Sequence, residues 1–178
     1  ARFLLNHYRK RSGVNHPSDD KHYSDNPSKK DYTLAQDALK HVMMGQPAYP
    51  SAFVGWDINW ESQPVKDKEW VWQLNRMVFW QSMGKVYVET NDEEYAHEWN
   101  HQLLDWVIKN PRDKDHPLAW RSIEAGIRGN RWTHLFHYFL HSPNFTPEGL
   151  VFYLSAINEH ADFLMTKYRT GSNWALME

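Results

Sequence analysis

The sequence predicts an all-α fold made of antiparallel helix pairs. Three observations carry that expectation. Apolar residues recur at helical spacing through most of the 178 residues. Periodic segments of about 20 residues alternate with mostly short connections, which makes successive helices antiparallel neighbours. No run alternates convincingly as a strand does. The length suits one domain.

Residues 1–31 are polar and read as an irregular lead-in, with only Phe3, Leu4 and Leu5 ready for burial. The first helix is expected over 33–44, with Thr33 as N-cap, Leu34, Leu39, Val42 and Met43 on one face, and Gly45 as its stop. Residues 45–66 form a long loop with three prolines. Its Phe53, Trp56, Ile58 and Trp60 are too apolar for disorder, so it should pack over a neighbour and present Asn59 and Trp60. A helix over 67–90, capped by Asp67, is apolar nearly all round and so buried on most sides. Asn75 and Arg76 interrupt that apolar run and need partners.

Asn91-Asp92 starts the next helix and Pro111 stops it; Tyr95, Trp99, Leu103 and Trp106 form its core stripe. Pro117 stands at the first position of a helix over 118–140, a favoured place for proline. Thr146-Pro147-Glu148 repeats that start for a helix over 146–169. Its expected stripe is Leu150, Leu154, Ile157, Ala161, Leu164 and Tyr168. Gly171 ends it. Ser172 then caps a further helix that runs about one turn to Glu178, which is expected of part of a larger protein.

The net charge of -2 and a pI near 6.6 give no bulk drive toward nucleic acid or an anionic membrane. A local basic groove is compatible with both values, because net charge averages over the surface. A mean hydropathy of -0.78 and the lack of an apolar run near twenty residues exclude a membrane span. The absence of cysteine removes disulfides and thiolate chemistry. Ten Trp, nine Tyr and eight Phe stand out. Bulky packing between helices accounts for most of them; stacking on the C–H face of a sugar is the sharper alternative.

His97-Glu98-Trp99-Asn100-His101 is a literal H-E-x-x-H, the pattern of a zinc metalloprotease. The helical wheel opposes that reading, since His97, Glu98 and His101 fall away from the core stripe onto a solvated face. His134, His137 and His141 share part of one helix among aromatic neighbours, as core or interface histidines do. Arg121, Glu124 and Arg128 lie on one stripe at i, i+3 and i+7. Two guanidiniums around one carboxylate either close a salt-bridge stripe or keep spare positive charge for a carboxylate or sulfate. Asn158 sits at the edge of an apolar stripe, as a paired core group or as a cleft residue.

The ordered set Trp-Asp-Ile-Asn-Trp (56–60), Trp-x-Trp-Gln-Leu-Asn-Arg (70–76), Trp-Arg-Ser-Ile-Glu-Ala-Gly-Ile-Arg (120–128), Ser-Pro-Asn-Phe-Thr-Pro-Glu (142–148), Asn-Glu-His-Ala-Asp-Phe-Leu (158–164) and Gly-Ser-Asn-Trp (171–174) resembles the N-terminal region of heparinase III-type polysaccharide lyases. The resemblance implies a partial (α/α) toroid over 1–178, completed by the remainder of the same polypeptide and followed by a β-sandwich domain. It implies periplasmic or secreted bacterial lyases that cleave heparan sulfate by β-elimination, with alginate or another polyuronate as the second substrate. It also implies a catalytic Asn at the uronate carboxylate, matched by Asn173, and a Tyr and a His beyond Glu178, so that this chain alone should be inactive. The expected substrate contacts are Asn59, Trp60, Arg121, Glu124, Arg128, Asn158 and Trp174. No metal or cofactor is expected. A non-catalytic helical carbohydrate-binding scaffold is the reading from another class.

Overall fold

The computed structural model describes residues 1–11, 26–113 and 115–167. Its elements are α1 (Arg2–Lys10), α2 (Lys29–Leu39), β1 (Val42–Met43), β2 (Ala52–Phe53), α3 (Lys68–Leu74), α4 (Val78–Thr90), α5 (Glu93–Lys109), α6 (Ser122–Phe139) and α7 (Pro147–Lys167). α4 lies at the centre and packs on α2, α5 and α6, while α7 packs on α5 and α6. The all-α expectation holds, with one two-residue antiparallel ribbon added, Val42 opposite Phe53 and Met43 opposite Ala52.

Several local expectations are corrected. The lead-in contains α1, which buries Leu5. Arg9 fixes this helix by donating from Nε to the Leu140 carbonyl at 2.8 Å and from Nη2 to that of Ser142 at 2.7 Å. α2 starts earlier than residue 33, because Ser28 and Asp31 form a reciprocal capping box. Thr33 is therefore inside the helix, its hydroxyl donating back to the Lys29 carbonyl. The helix also ends earlier, since His41 adopts a left-handed φ of 53° and Val42 enters the ribbon.

The expected 67–90 helix is two helices. Asp67 caps the first, as its sequence position implied. The break centres on Asn75, which is fully buried. Its carboxamide donates to the carbonyls of Val71, at 3.0 Å, and Trp60, at 2.9 Å, and accepts from Trp106 Nε1 at 2.9 Å. Met77 then turns through φ 50° before α4 begins. Local side-chain bonding of this kind competes with the helical ladder.

α5 is as expected, capped by Asp92 and burying Tyr95, Trp99, Leu103 and Trp106. α6 starts one turn later than 118, at Ser122. The preceding turn is tied down by Trp120, whose indole donates to the Asn110 carbonyl at 2.9 Å. Thr146 opens α7 by accepting from Gly149 N–H. The buried face of α7 is Leu150, Tyr153, Ala156, His160 and Phe163, one position away from the expected stripe. Leu154, Ile157 and Leu164 are only half-buried and Ala161 is exposed; Tyr168 lies outside the described residues. Ile157, Ala161 and Leu164 instead line a groove of about 330 Å³ against Gly126, Gly129 and Thr133 of α6.

The core is aromatic. Trp60, Trp80, Trp99, Trp106 and Trp132 are all buried and meet edge to face or tilted, the arrangements ring quadrupoles favour. His160 closes this core. Its Nδ1–H donates to the Ala156 carbonyl at 2.6 Å, so Nε2 is free to accept from Arg128 Nε at 2.7 Å. Burial first, and the neighbouring Arg128 charge second, push its pKa down to about 3.

That shift makes stability pH-dependent in one direction. The unfolded chain protonates His160 near pH 6.5 while the folded chain keeps it neutral to about 3, so the stabilisation is complete above pH 6.5 and is lost as pH falls through that window. Urea denaturation at pH 7, 6, 5 and 4 is expected to show a loss approaching about 1.4 kcal/mol per pH unit from this group. The His160→Gln variant should be less stable at pH 7 and should lack that share of the slope.

Candidate functional site

The first two turns of α6 and the end of α3 build a compact charged cluster. Arg121 at the N-cap of α6, Glu124 and Arg128 share one face, and Arg76 reaches them from the break after α3. Glu124 is fully buried and holds two guanidiniums, Arg76 Nη2 at 2.8 Å and Arg121 Nε at 3.0 Å. Glu69, in the first turn of α3, takes Arg76 at 3.1 Å. Arg121 lies flat over Trp72, 3.6 Å from the ring centroid.

Arg128 occupies the floor. It is fully buried and stacks over Trp106 at 4.3 Å and Trp120 at 5.2 Å. Nη1 donates to the carbonyls of Asn75, at 3.1 Å, and Ala119, at 3.0 Å. Burial pulls its pKa down to about 9, and Glu124 acts in the opposite sense; it remains charged at neutral pH. Arg131, one turn further along α6, is bonded to Gln81 and is pushed down by burial and by the charge of Arg76. The cluster thus sets Arg76 and Arg121 on the carboxylates of Glu69 and Glu124, with Arg128 beneath Glu124 and Arg131 within reach of the Arg76 charge. Four positive groups against two negative ones leave an excess of two positive charges.

The family profile described as heparinase II/III N-terminus matches residues 1–178. The chain belongs to that family. A heparin-sulfate lyase of Pedobacter heparinus is 37% identical over 189 residues, which cover 100% of this chain and 28% of that protein. A heparin-sulfate lyase of Bacteroides stercoris is 36% identical over 198 residues, covering 100% of this chain and 30% of that one. The crystal structure of heparan sulfate lyase HepC from Pedobacter heparinus superposes with a TM-score of 0.90 at 36% identity, covering 99% of this chain and 29% of that chain. A crystal structure of heparinase III matches with a TM-score of 0.87 at 28% identity, covering 99% and 28%. The chain therefore spans under a third of the length of these relatives. Its helix pairs form the N-terminal part of a helical toroid.

The expected site residues are not all in one place. Arg121 and Glu124 meet in the cluster, and Arg128 lies beneath it, but Glu124 and Arg128 are sealed from solvent and contact protein only. The helical spacing put them on one stripe; the half of that stripe beyond Arg121 faces inward. Trp60 is also not presented: it is buried, and its indole donates to Asp105 at 2.7 Å. Asn59 is exposed but turned to its own loop, accepting from Glu61 N–H at 3.0 Å. Asn158 is exposed on α7 and donates to Asp162 at 3.3 Å. Asn173 and Trp174 lie outside the described residues. Arg76 and Arg131 belong to the cluster and were absent from the expected set. The signal for Arg76 was its position inside an apolar run, which demanded a partner. Arg131 gave none.

His97 and His101 are exposed, as the wheel required. Glu98, expected on the same solvated face, is half-buried beside His101, 3.4 Å from its Nδ1. It turns back to His41, with Oε1 at 2.9 Å from Nε2. His134 and His141 are exposed and His137 is half-buried, so none of the three is core.

The cluster separates anchoring charge from accessible charge. Removing the buried carboxylate with Glu124→Gln leaves Arg76 only Glu69, frees Arg121 and deprives the fully buried Arg128 of its compensating charge, and is expected to destabilise by about 3–5 kcal/mol. Arg121→Ala, at a side chain 36% exposed, should lose no more than about 1 kcal/mol. Urea denaturation of both variants at pH 7 measures the difference; equal losses would contradict this division.

Proposed function

We propose that this chain forms part of a polysaccharide lyase that cleaves a uronate-containing glycosaminoglycan, with heparan sulfate as substrate. The observation that carries the proposal is the match of the whole chain, 36–37% identical, to proteins named heparin-sulfate lyases. The guanidinium cluster supports it physically. Heparan sulfate carries carboxylates and sulfates, and planar guanidiniums pair with both through two parallel hydrogen bonds. Arg121 and the exposed edge of Arg76 are the groups placed to meet such anions; Glu124 and Arg128 hold them in position.

The reaction proposed is β-elimination. The C5 proton of a uronate is weakly acidic. Neutralising the carboxylate stabilises the enolate-like charge that develops when a base removes that proton, and an acid then protonates the leaving oxygen. The reaction calls for no cofactor. Asn173 takes the carboxylate in this scheme, because its uncharged amide offers two hydrogen-bond donors. A periplasmic or secreted location goes with the same reading, because such polysaccharides are extracellular.

The test uses the full-length protein and heparan sulfate, with the absorbance of the unsaturated uronate product as readout. Turnover is expected. No absorbance change with retained polysaccharide binding would favour a non-catalytic scaffold, and turnover of alginate alone would move the substrate. Asn173→Ala should melt normally and lose about a hundredfold or more in kcat. Near wild-type turnover there removes Asn173 from the mechanism. Arg121→Ala should raise KM several-fold with kcat retained, the signature of an interaction made equally in ground and transition states.

A further inference from the structure

Away from the guanidinium cluster, three side chains converge that the lyase chemistry does not use. His41 sits in the turn between α2 and β1, while Glu98 and His101 lie one turn apart on α5. His41 Nε2 is 2.9 Å from Glu98 Oε1, and His101 Nδ1 is 3.4 Å from the same oxygen. The three atoms lie within 4.8 Å of one another. The two imidazoles are nearly parallel, 6.0 Å apart with 18° between their planes.

His41 is held firmly. It is 4% exposed, and its backbone is kept at φ 53° by bonds from its N–H to the Ala38 carbonyl and from Val54 N–H to its own carbonyl. Its Nδ1 is 2.8 Å from the Gly55 carbonyl. A carbonyl only accepts, so Nδ1 carries a hydrogen. In the neutral ring Nε2 then presents a lone pair, and it faces a carboxylate oxygen, which also only accepts. A cation has to lie between them. A proton on Nε2 pairs His41 with Glu98 and leaves His101 outside. A metal ion takes all three donors.

We infer that His41, Glu98 and His101 form a zinc site that ties the 41–55 turn to α5. Two imidazole nitrogens with one carboxylate oxygen suit zinc among the divalent transition ions. Ligands about 2.0–2.1 Å from a tetrahedral zinc stand about 3.3 Å from each other. The 3.4 Å separation already fits, the 2.9 Å one opens by a few tenths of an ångström, and the two imidazole nitrogens, within 4.8 Å of each other, come to the same spacing through rotation of the exposed His101 side chain. The supporting groups are also present. Gly55 fixes the His41 tautomer, as the outer partner of a ligating histidine does. Gln102 donates to Glu98 Oε1 at 2.9 Å and to the Ala38 carbonyl at 3.0 Å, while accepting from Trp80. His101 is half-exposed, which leaves water the fourth position. This is not the metalloprotease pattern: His97 takes no part, and Glu98 is a ligand rather than a base.

Zinc titration of chelator-treated full-length protein tests the site, with bound metal counted by mass spectrometry and melting followed in parallel. The wild type is expected to bind one zinc more than His101→Ala does, and to melt several degrees higher when zinc is added. His101→Ala removes an exposed ring and should fold. Its affinity at this site should fall by about a hundredfold or more, since losing even a supporting partner weakens metal binding 10–100-fold. His97→Ala should bind as the wild type does. Cobalt(II) should give visible absorption that disappears in His101→Ala. Equal metal content in wild type and His101→Ala overturns the site and leaves a simple His41–Glu98 ion pair. Loss of zinc in His97→Ala overturns it in favour of the linear motif.

Discussion

The guanidinium of Arg128 is the point on which the interior depends. It is fully buried, and it touches four separate parts of the chain. It donates to Asn75 in the break between α3 and α4, to Ala119 in the turn before α6, and to His160 on α7, and it stacks on Trp106 of α5. A buried charge is costly unless it is paired and hydrogen-bonded. That requirement fixes the others. His160 has to be neutral with Nε2 accepting. The carbonyls of Asn75 and Ala119 have to stay out of helical ladders: α3 has ended at Leu74, and α6 begins only at Ser122. Glu124, one turn away on α6, supplies the compensating charge.

The same arrangement explains why most of the aromatic side chains are not a sugar-binding surface. Trp60, Trp80 and Trp106 each carry one N–H into the interior, and each finds an acceptor there: Asp105, Gln102 and Asn75. These acceptors are polar groups that α3 and α5 place between the ring faces. Edge-to-face contacts then fill the remaining space. The described tryptophans that reach solvent are Trp72, half-buried beneath Arg121, and Trp56, 71% exposed. The cluster therefore presents charge rather than a ring face, with Trp72 orienting the Arg121 guanidinium.

How much of this the sequence disclosed follows from the range of the forces involved. Features set within one helical turn were legible: the Asp67 and Thr146 caps, and the α5 stripe from Tyr95 to Trp106. Features set by distant partners were not. α1 is held by Arg9 on carbonyls more than 130 residues away, and nothing in residues 1–11 encodes that. The 67–90 segment has helical periodicity throughout, but a buried Asn75 with partners on the 45–66 loop and on α5 breaks it. On α7 two apolar stripes lie side by side. The wheel identified the Leu154–Ile157–Ala161 stripe because it is richer in aliphatic residues, while the core took the one containing Tyr153 and His160. Arg121-Glu124-Arg128 was legible as a charged stripe, and its spacing could not tell which members point inward. Of the candidate site, the residue types were readable and the depth of each was not.

The bulk charge of -2 and a locally basic cluster are compatible for the same reason of range. At physiological ionic strength surface charges more than about 8 Å apart are largely screened from each other. A polyanion approaching Arg121 therefore responds to the groups in that neighbourhood, not to the sum over the molecule. There, Glu69 and Glu124 stand against four guanidiniums, and they hold Arg76 and Arg121 in fixed positions. Pairing of this kind limits how strongly the cluster repels itself, while Arg121 keeps part of its guanidinium at the surface. Fully neutral pairing would leave nothing for an anion, and four unpaired guanidiniums would not stay packed beside Trp72 and Trp106. The buried Glu124 is the residue that reconciles the two demands, and it does so without being exposed to the ligand at all.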